Sequence, residues 1–168
     1  AGVDTVELAA KYATPLYLLD ENKIREKCRI YRRAMAQHFG DDALPLYAGK
    51  ALCIKDIYRI MREEGMGIDV VSSGEVYTAV SADFPMENAY FHSNNKTDAD
   101  IAFAMENGLG YFVVDNVEEL DAIEQIAGVV HMTSATSEES AATSEALSQQ
   151  AEELKRAVGQ FRLKNHTD

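Results

Sequence analysis

Three short apolar stretches of this chain are each followed at once by residues able to do chemistry. Lys50 comes just after the stretch 44–48, Ser72-Ser73-Gly74-Glu75 close the stretch 68–72, and His92 to Lys96 follow 89–92. An amine, hydroxyls, a carboxylate, an imidazole and an amide thus recur at one kind of place, the end of an apolar run. A lysine amine attacks carbonyl compounds only when neutral, which requires desolvation or a neighbouring positive charge. On residue pattern alone Lys50 and Lys96 read as solvated lysines and His92 as a structural histidine. Cys28 falls on the apolar face of a helical pattern and reads as core. Cys53 stands at a helix start, where a thiol's pKa can be lowered, and still reads as buried.

The elements that must position these residues alternate. Runs 15–19, 44–48, 68–72, 89–92 and 110–114 are short and continuously apolar, as strands covered on both faces are. Between them the spacing turns helical. Ile24, Cys28, Tyr31 and Met35 share one helix face, and Ile54, Ile57, Tyr58 and Met61 share another. Thr97 with Asp100 and Asn116 with Glu119 have capping-box spacing, and Asn107-Gly108 is a helix stop. Strict alternation of strand and helix predicts an α/β fold with a parallel sheet and right-handed crossovers. A doubly wound sheet would carry a glycine fingerprint after its first strand, and none stands there. A TIM-type (β/α) barrel instead gathers functional residues at the C-terminal ends of several strands. Lys50, Ser72 and His92 stand at such ends, so residues 44–127 are expected to form a consecutive parallel arc with these three on one rim.

Composition bounds the function. The chain has 168 residues and a net charge of −12. That length suits one ordinary domain, or one with an appendage. So acidic a balance argues against nucleic acid and anionic membrane surfaces as partners, since both demand an excess of Lys and Arg. Two cysteines without a CxxC pair argue against a disulfide scaffold or structural zinc; no metal site is expected, and a reducing cytoplasm is the expected compartment. No apolar run nears the ~18 residues needed to cross a bilayer. No signal-peptide pattern opens the chain, and residue 1 is Ala rather than an initiator Met, which leaves the native start open.

Residues 1–127 and 128–168 differ in kind and are expected to form separate domains. The first part holds all three prolines, with 12 Lys and Arg against 22 Asp and Glu. In the second, 13 of the 20 residues from 132 to 151 are Ala, Ser or Thr. Such a stretch cannot build a core, but it can form one long helix, expected from about Val130 to Val158.

Tyr47-Ala48-Gly49-Lys50-Ala51 resembles the lysine motif of the barrel-type, alanine-racemase-like PLP decarboxylases. Gly67-Ile68-Asp69-Val70-Val71-Ser72-Ser73-Gly74-Glu75 is similar to their next strand and turn, and Phe91-His92-Ser93-Asn94-Asn95-Lys96-Thr97 to the segment found in diaminopimelate decarboxylases. Thr14-Pro15-Leu16-Tyr17 fits the same family, and the resemblance covers about residues 5–127, with Ser93 and Asp83 where glycine is expected. It implies about half of a PLP-binding barrel, since a complete one takes about 250 residues and eight strands. Run 15–19 would stand apart from the arc, because in the family it belongs to a second domain. The implied activity is PLP-dependent decarboxylation of meso-diaminopimelate to L-lysine, in lysine biosynthesis. Lys50 would be the catalytic, cofactor-bearing amine, with Asp69 and His92 also binding PLP. Ser72, Glu75, Asn94 and Lys96 would contact substrate or support those that do. For Glu75 the residues equally allow a helix N-terminal charge, and for Lys96 the plain reading of the residue is an exposed lysine. The family's glycine-rich phosphate loop, ring-stacking histidine, acidic partner for the pyridine nitrogen and subunit-contributed cysteine and tyrosine do not appear. This chain alone is therefore expected to be truncated and inactive. The family further implies a homodimer and a small amino-acid substrate.

Ser134-Ala135-Thr136-Ser137-Glu138-Glu139-Ser140 and the residues following, to about 164, resemble the C-terminal helix of bacterial methyl-accepting chemotaxis receptors. Val130, Ser137, Ser144, Ala151 and Val158 interleave with Thr133, Ser140, Leu147, Leu154 and Phe161 in heptad register. A coiled-coil interaction fragment, or a chimeric reading frame without selected activity, are the alternatives to an enzyme. Exposed sheet edges and the tail helix both suggest self-association.

Overall fold

The computed structural model describes residues 2–159. Two helices open the chain, α1 (Thr5–Tyr12) and α2 (Glu21–Phe39). Four βα units follow: β1 (Leu46–Ala48) with α3 (Lys55–Glu63), β2 (Gly67–Val70) with α4 (Ser73–Val80), β3 (Ala89–His92) with α5 (Asp98–Glu106), and β4 (Tyr111–Val113) with α6 (Val117–Gly159). The sheet runs β1-β2-β3-β4, every neighbour parallel. This is the consecutive arc of a partial (β/α) barrel, α/β in class, followed by a long C-terminal helix.

Register sorts the side chains by face. Ile68 pairs with Ala89, and Val70 with Phe91 and then Phe112 across the sheet. These residues meet Ile57, Tyr58, Ile60 and Met61 of α3 and Val76 and Ala79 of α4 in one core. The intervening positions, Asp69, Tyr90 and Tyr111, form a row on the other face, since strand side chains alternate. Tyr90 and Tyr111 stack there with ring centroids 4.3 Å apart. Burial on both faces was the expectation from continuous apolar runs; here the second face is largely open, with Tyr111 and His92 exposed. Four strands curve into an arc but do not close over that face.

Local signals behave as the spacing predicts. Thr97 and Asp100 form a reciprocal capping box at the start of α5. Asn116 Oδ1 accepts from the Glu119 amide at 2.8 Å, but the Glu119 carboxylate turns to the Asp115 amide instead of completing the box. Helix α5 ends at Asn107, with Gly108 at φ 73°. Cys28 is core, packed against Met61, and α2 is tied to α3 by Arg25 and Arg29 on Glu63 and Glu64.

Two expectations need correction. Run 15–19 forms no strand and stands outside the four-stranded sheet, with Tyr17 95% exposed. The long helix starts at Val117 rather than near Val130, so it crosses the compositional change at 127–128 without a break. Its first turns pack on α5. Beyond Val130 every described residue is exposed, including Leu147, Leu154 and Val158 of the heptad pattern, and Phe161 lies outside the described residues. No described helix is long and apolar enough to cross a membrane.

Asp83, where the family resemblance expects glycine, has φ 52° in the turn after α4. Left-handed backbone strains a residue with a Cβ, though Asp tolerates it better than most. Asp83→Gly is expected to raise stability by about 0.5–1 kcal/mol, read from urea unfolding. An isolated helix without packing is marginal in water. Amides of residues 134–147 are accordingly expected to exchange with solvent no more than about tenfold slower than an unstructured chain; strong protection there in the monomer would contradict this.

Candidate functional site

Each strand delivers a residue to one cleft of about 490 Å³ at the C-terminal rim of the sheet. Lys50 comes from the 3-10 turn Gly49–Ala51 after β1, and Asp69 and Val71 from β2 and its end. His92, Ser93 and Asn94 come from the end of β3, and Asp115 from the residues after β4. The 3-10 turn arises where β1 stops, and it swings the exposed Lys50 over the rim. Parallel strands all end on the same side, so residues separated by some twenty positions in sequence converge without any long loop.

Asp69 is the least ordinary group in the cleft. Its Oδ1 is buried and has no hydrogen-bond partner among the described residues. Burial pushes its carboxyl above the usual carboxylate range, while the charges of His92 and Lys50 pull it partly back. An orphaned buried oxygen is costly unless something supplies a partner.

The remaining predicted residues lie elsewhere. Ser72 caps α4, its Oγ accepting from the Glu75 amide at 3.3 Å. Glu75 is buried in the first turn of α4, and its Oε2 accepts from the Val71 amide at 2.9 Å. That bond ties the end of β2 to the helix that follows. Lys96 is turned inward, its side chain 0% exposed, donating to the carbonyls of Ser93 and Val113 and to the Glu119 carboxylate. Burial acts to raise the Glu119 pKa, but the Asp115 amide and Lys96 outweigh it and hold that carboxyl below its usual range. This buried pair joins the ends of β3 and β4 to the start of α6. Lys96 thus neither lies exposed nor lines the cleft. Asp115 was not anticipated, although its place directly after run 110–114 is the same signal that marked Lys50 and His92.

A larger groove of about 720 Å³ lies between α2 and the free edge of β1. Leu18, Leu19, Ile24, Cys28, Leu46 and Met61 line it, and its charged residues, Asp20, Lys23 and Lys27, all come from α2 and its cap. The convergence of donor and acceptor types, rather than size, makes the rim cleft the candidate site.

Such an arc with a lysine at its rim defines a class. The family model for the pyridoxal-binding domain of pyridoxal-dependent decarboxylases matches residues 21–159, and the chain belongs to that family. Within it, the chain is 46% identical over 125 residues to the diaminopimelate decarboxylase of Bacillus methanolicus, covering 74% of this chain and 29% of that protein. The Bacillus subtilis diaminopimelate decarboxylase is 42% identical over 125 residues, covering 74% and 28%. Among solved structures, the diaminopimelate decarboxylase of M. jannaschii in complex with L-lysine superposes with TM-score 0.67 at 32% identity, over 77% of this chain and 31% of that one. The Helicobacter pylori enzyme complexed with L-lysine gives 0.68 at 27% identity, over 76% and 32%. The chain therefore spans under a third of the length of these relatives. The chemotaxis-receptor resemblance of the tail finds no support in these comparisons, and the family match itself runs through that tail to residue 159.

Titration of Asp69 gives a test with a defined sign. An acid whose folded pKa is raised binds its proton more tightly folded than unfolded. It therefore adds stability below the unfolded value of 3.8 that is lost as pH rises through the folded pKa. Asp69→Asn is expected to unfold at a higher temperature than the parent at pH 7, with the gap closing as the pH falls to about 4.

Proposed function

We propose that this chain carries the lysine-bearing rim of a PLP-dependent carboxy-lyase of the diaminopimelate decarboxylase type, with Lys50 as the amine that holds the cofactor. The observation that carries this reading is the meeting of Lys50, Asp69 and His92 in one cleft at the C-terminal ends of β1, β2 and β3. The donor set suits PLP: an amine for its aldehyde carbon, an orphaned carboxylate oxygen for a polar partner, and an imidazole and an amide beside them. When bound, PLP supplies an electron sink for the pair left by a departing carboxylate.

The protein's own groups then have distinct tasks. Lys50 presents its amine from the 3-10 turn that directly follows β1. Asp69, with its raised pKa, can hold a proton at Oδ1 or accept a hydrogen bond there, next to the charges of Lys50 and His92. Asn94 offers both a donor and an acceptor at the cleft wall, while His92 limits its breadth. Ser72 and Glu75 keep the β2–α4 turn in place.

The substrate proposed is meso-diaminopimelate. The bond to one α-carboxylate breaks, CO2 leaves, and a proton takes its place to give L-lysine. Support comes from the diaminopimelate decarboxylase relatives and from the L-lysine complexes of two of the similar structures. A homodimer acting in the cytoplasm belongs to the same proposal.

Borohydride reduction in the presence of PLP, followed by peptide mapping, is expected to mark Lys50 ahead of the other lysines. CO2 release from meso-diaminopimelate by these 168 residues alone is expected to stay below detection, because four strands leave the rim open on both sides. Even labelling of all lysines, unaffected by Lys50→Ala, would sink the assignment.

A further inference from the structure

We propose that Tyr58 is a positioning residue for Lys50, acting through the glycine that precedes it. The inference rests on Lys50 as the reactive amine and adds what aims it. Gly49 is buried at the start of the 3-10 turn that bears Lys50. A Cβ placed on Gly49 would overlap the Tyr58 hydroxyl oxygen, and would stand 2.7 Å from Glu75 Oε2 and 3.2 Å from the Asp69 carbonyl oxygen. Tyr58 belongs to α3, Glu75 to α4 and Asp69 to β2. Three elements therefore press oxygen atoms against the backbone of the residue before Lys50.

The hydroxyl is the informative atom. Tyr58 is fully buried, and the group beside its hydroxyl is the Cys53 thiol, a weak hydrogen-bonding partner. Burial first, and then Cys53 and Glu75 beside it, raise the phenol's pKa, so it stays neutral. Phenylalanine would fill the core with the same ring and give up only a weak contact with a thiol, so packing alone gives the hydroxyl little purpose. At Gly49 it has one. It occupies the space that a side chain would take, while Glu75, tethered to the Val71 amide at 2.9 Å, occupies the rest. Glycine at 49 and hydroxyl at 58 form a fitted pair. The pair sets where β1 ends, and with it the direction in which Lys50 leaves the backbone toward Asp69 and His92.

The test is trace acetylation of the full chain with acetic anhydride across a pH series, without PLP, with Lys55 as internal standard. Tyr58→Phe is expected to change the labelling of Lys50 relative to Lys55 by at least about twofold, the low end of coupling between touching residues. Its thermal midpoint is expected to change little, since the lost hydroxyl was buried beside no partner stronger than a thiol. Gly49→Ala is expected to change Lys50 labelling as well. In Gly49→Ala/Tyr58→Phe the overlap with the hydroxyl is relieved while Glu75 Oε2 still stands 2.7 Å from the methyl, so the double variant is expected to lie nearer the parent than Gly49→Ala does without reaching it. Unchanged Lys50 labelling in Tyr58→Phe overturns the proposal, as do single effects that simply multiply in the double variant. Should Gly49→Ala fail to fold, Tyr58→Phe decides alone. Intact coupling without PLP trapping at Lys50 would refute the cofactor reading only; trapping without coupling would refute the positioning role only.

Discussion

Side chains on a strand alternate between faces, and neighbouring parallel strands hold that alternation in step. In this chain the register Asp69–Tyr90–Tyr111 runs along one face and Val70–Phe91–Phe112 along the other. The second row is the floor on which α3 and α4 pack, with Ile57, Tyr58, Met61, Val76 and Ala79 against it. The first row ends in the polar rim. A slip of one residue in any strand would turn Asp69 into the core and Val70 into the cleft, so burial of the apolar row also fixes where the chemistry stands.

The turns at the strand ends are held by polar groups that never face the cleft. Glu75 is bound to the Val71 amide after β2. Lys96 gathers two carbonyls and the Glu119 carboxylate between β3 and β4. Glu119 in turn accepts from the Asp115 amide, so Asp115 reaches the cleft from a turn anchored by a buried ion pair. A buried pair is costly to break because it leaves one uncompensated charge. That asymmetry suits it to hold a rim in one shape. Beyond its first turns on α5, α6 has no comparable anchoring: every described residue after Val130 is exposed.

Much of the arc was legible because its signals are local. Apolar runs, helical spacing, the Thr97–Asp100 box and the Asn107-Gly108 stop are each set by residues within a few positions of one another. Lys50 and His92 stood out because one lies just past a strand-sized run and the other closes one. Run 15–19 misled for the complementary reason. Its composition suits a strand, but a strand needs a neighbour, and composition carries no information about whether one is within reach. The start of α6 was legible at Asn116, but its continuity through residue 127 was hidden by a change of composition that leaves helix propensity intact.

The sequence by itself determined the order of the elements, their parallel arrangement and the placing of an amine at a strand end, because those depend on spacing along the chain. Only the tertiary structure decided which polar residues meet. Asp115 joins Lys50 although 65 positions separate them, whereas Lys96, four residues from His92, turns away into the protein. It also decided that Gly49 lies under Tyr58, nine positions on. Such contacts depend on strand register, on the path of each turn and on the direction of each Cβ, and these are set only when the core between sheet and helices closes.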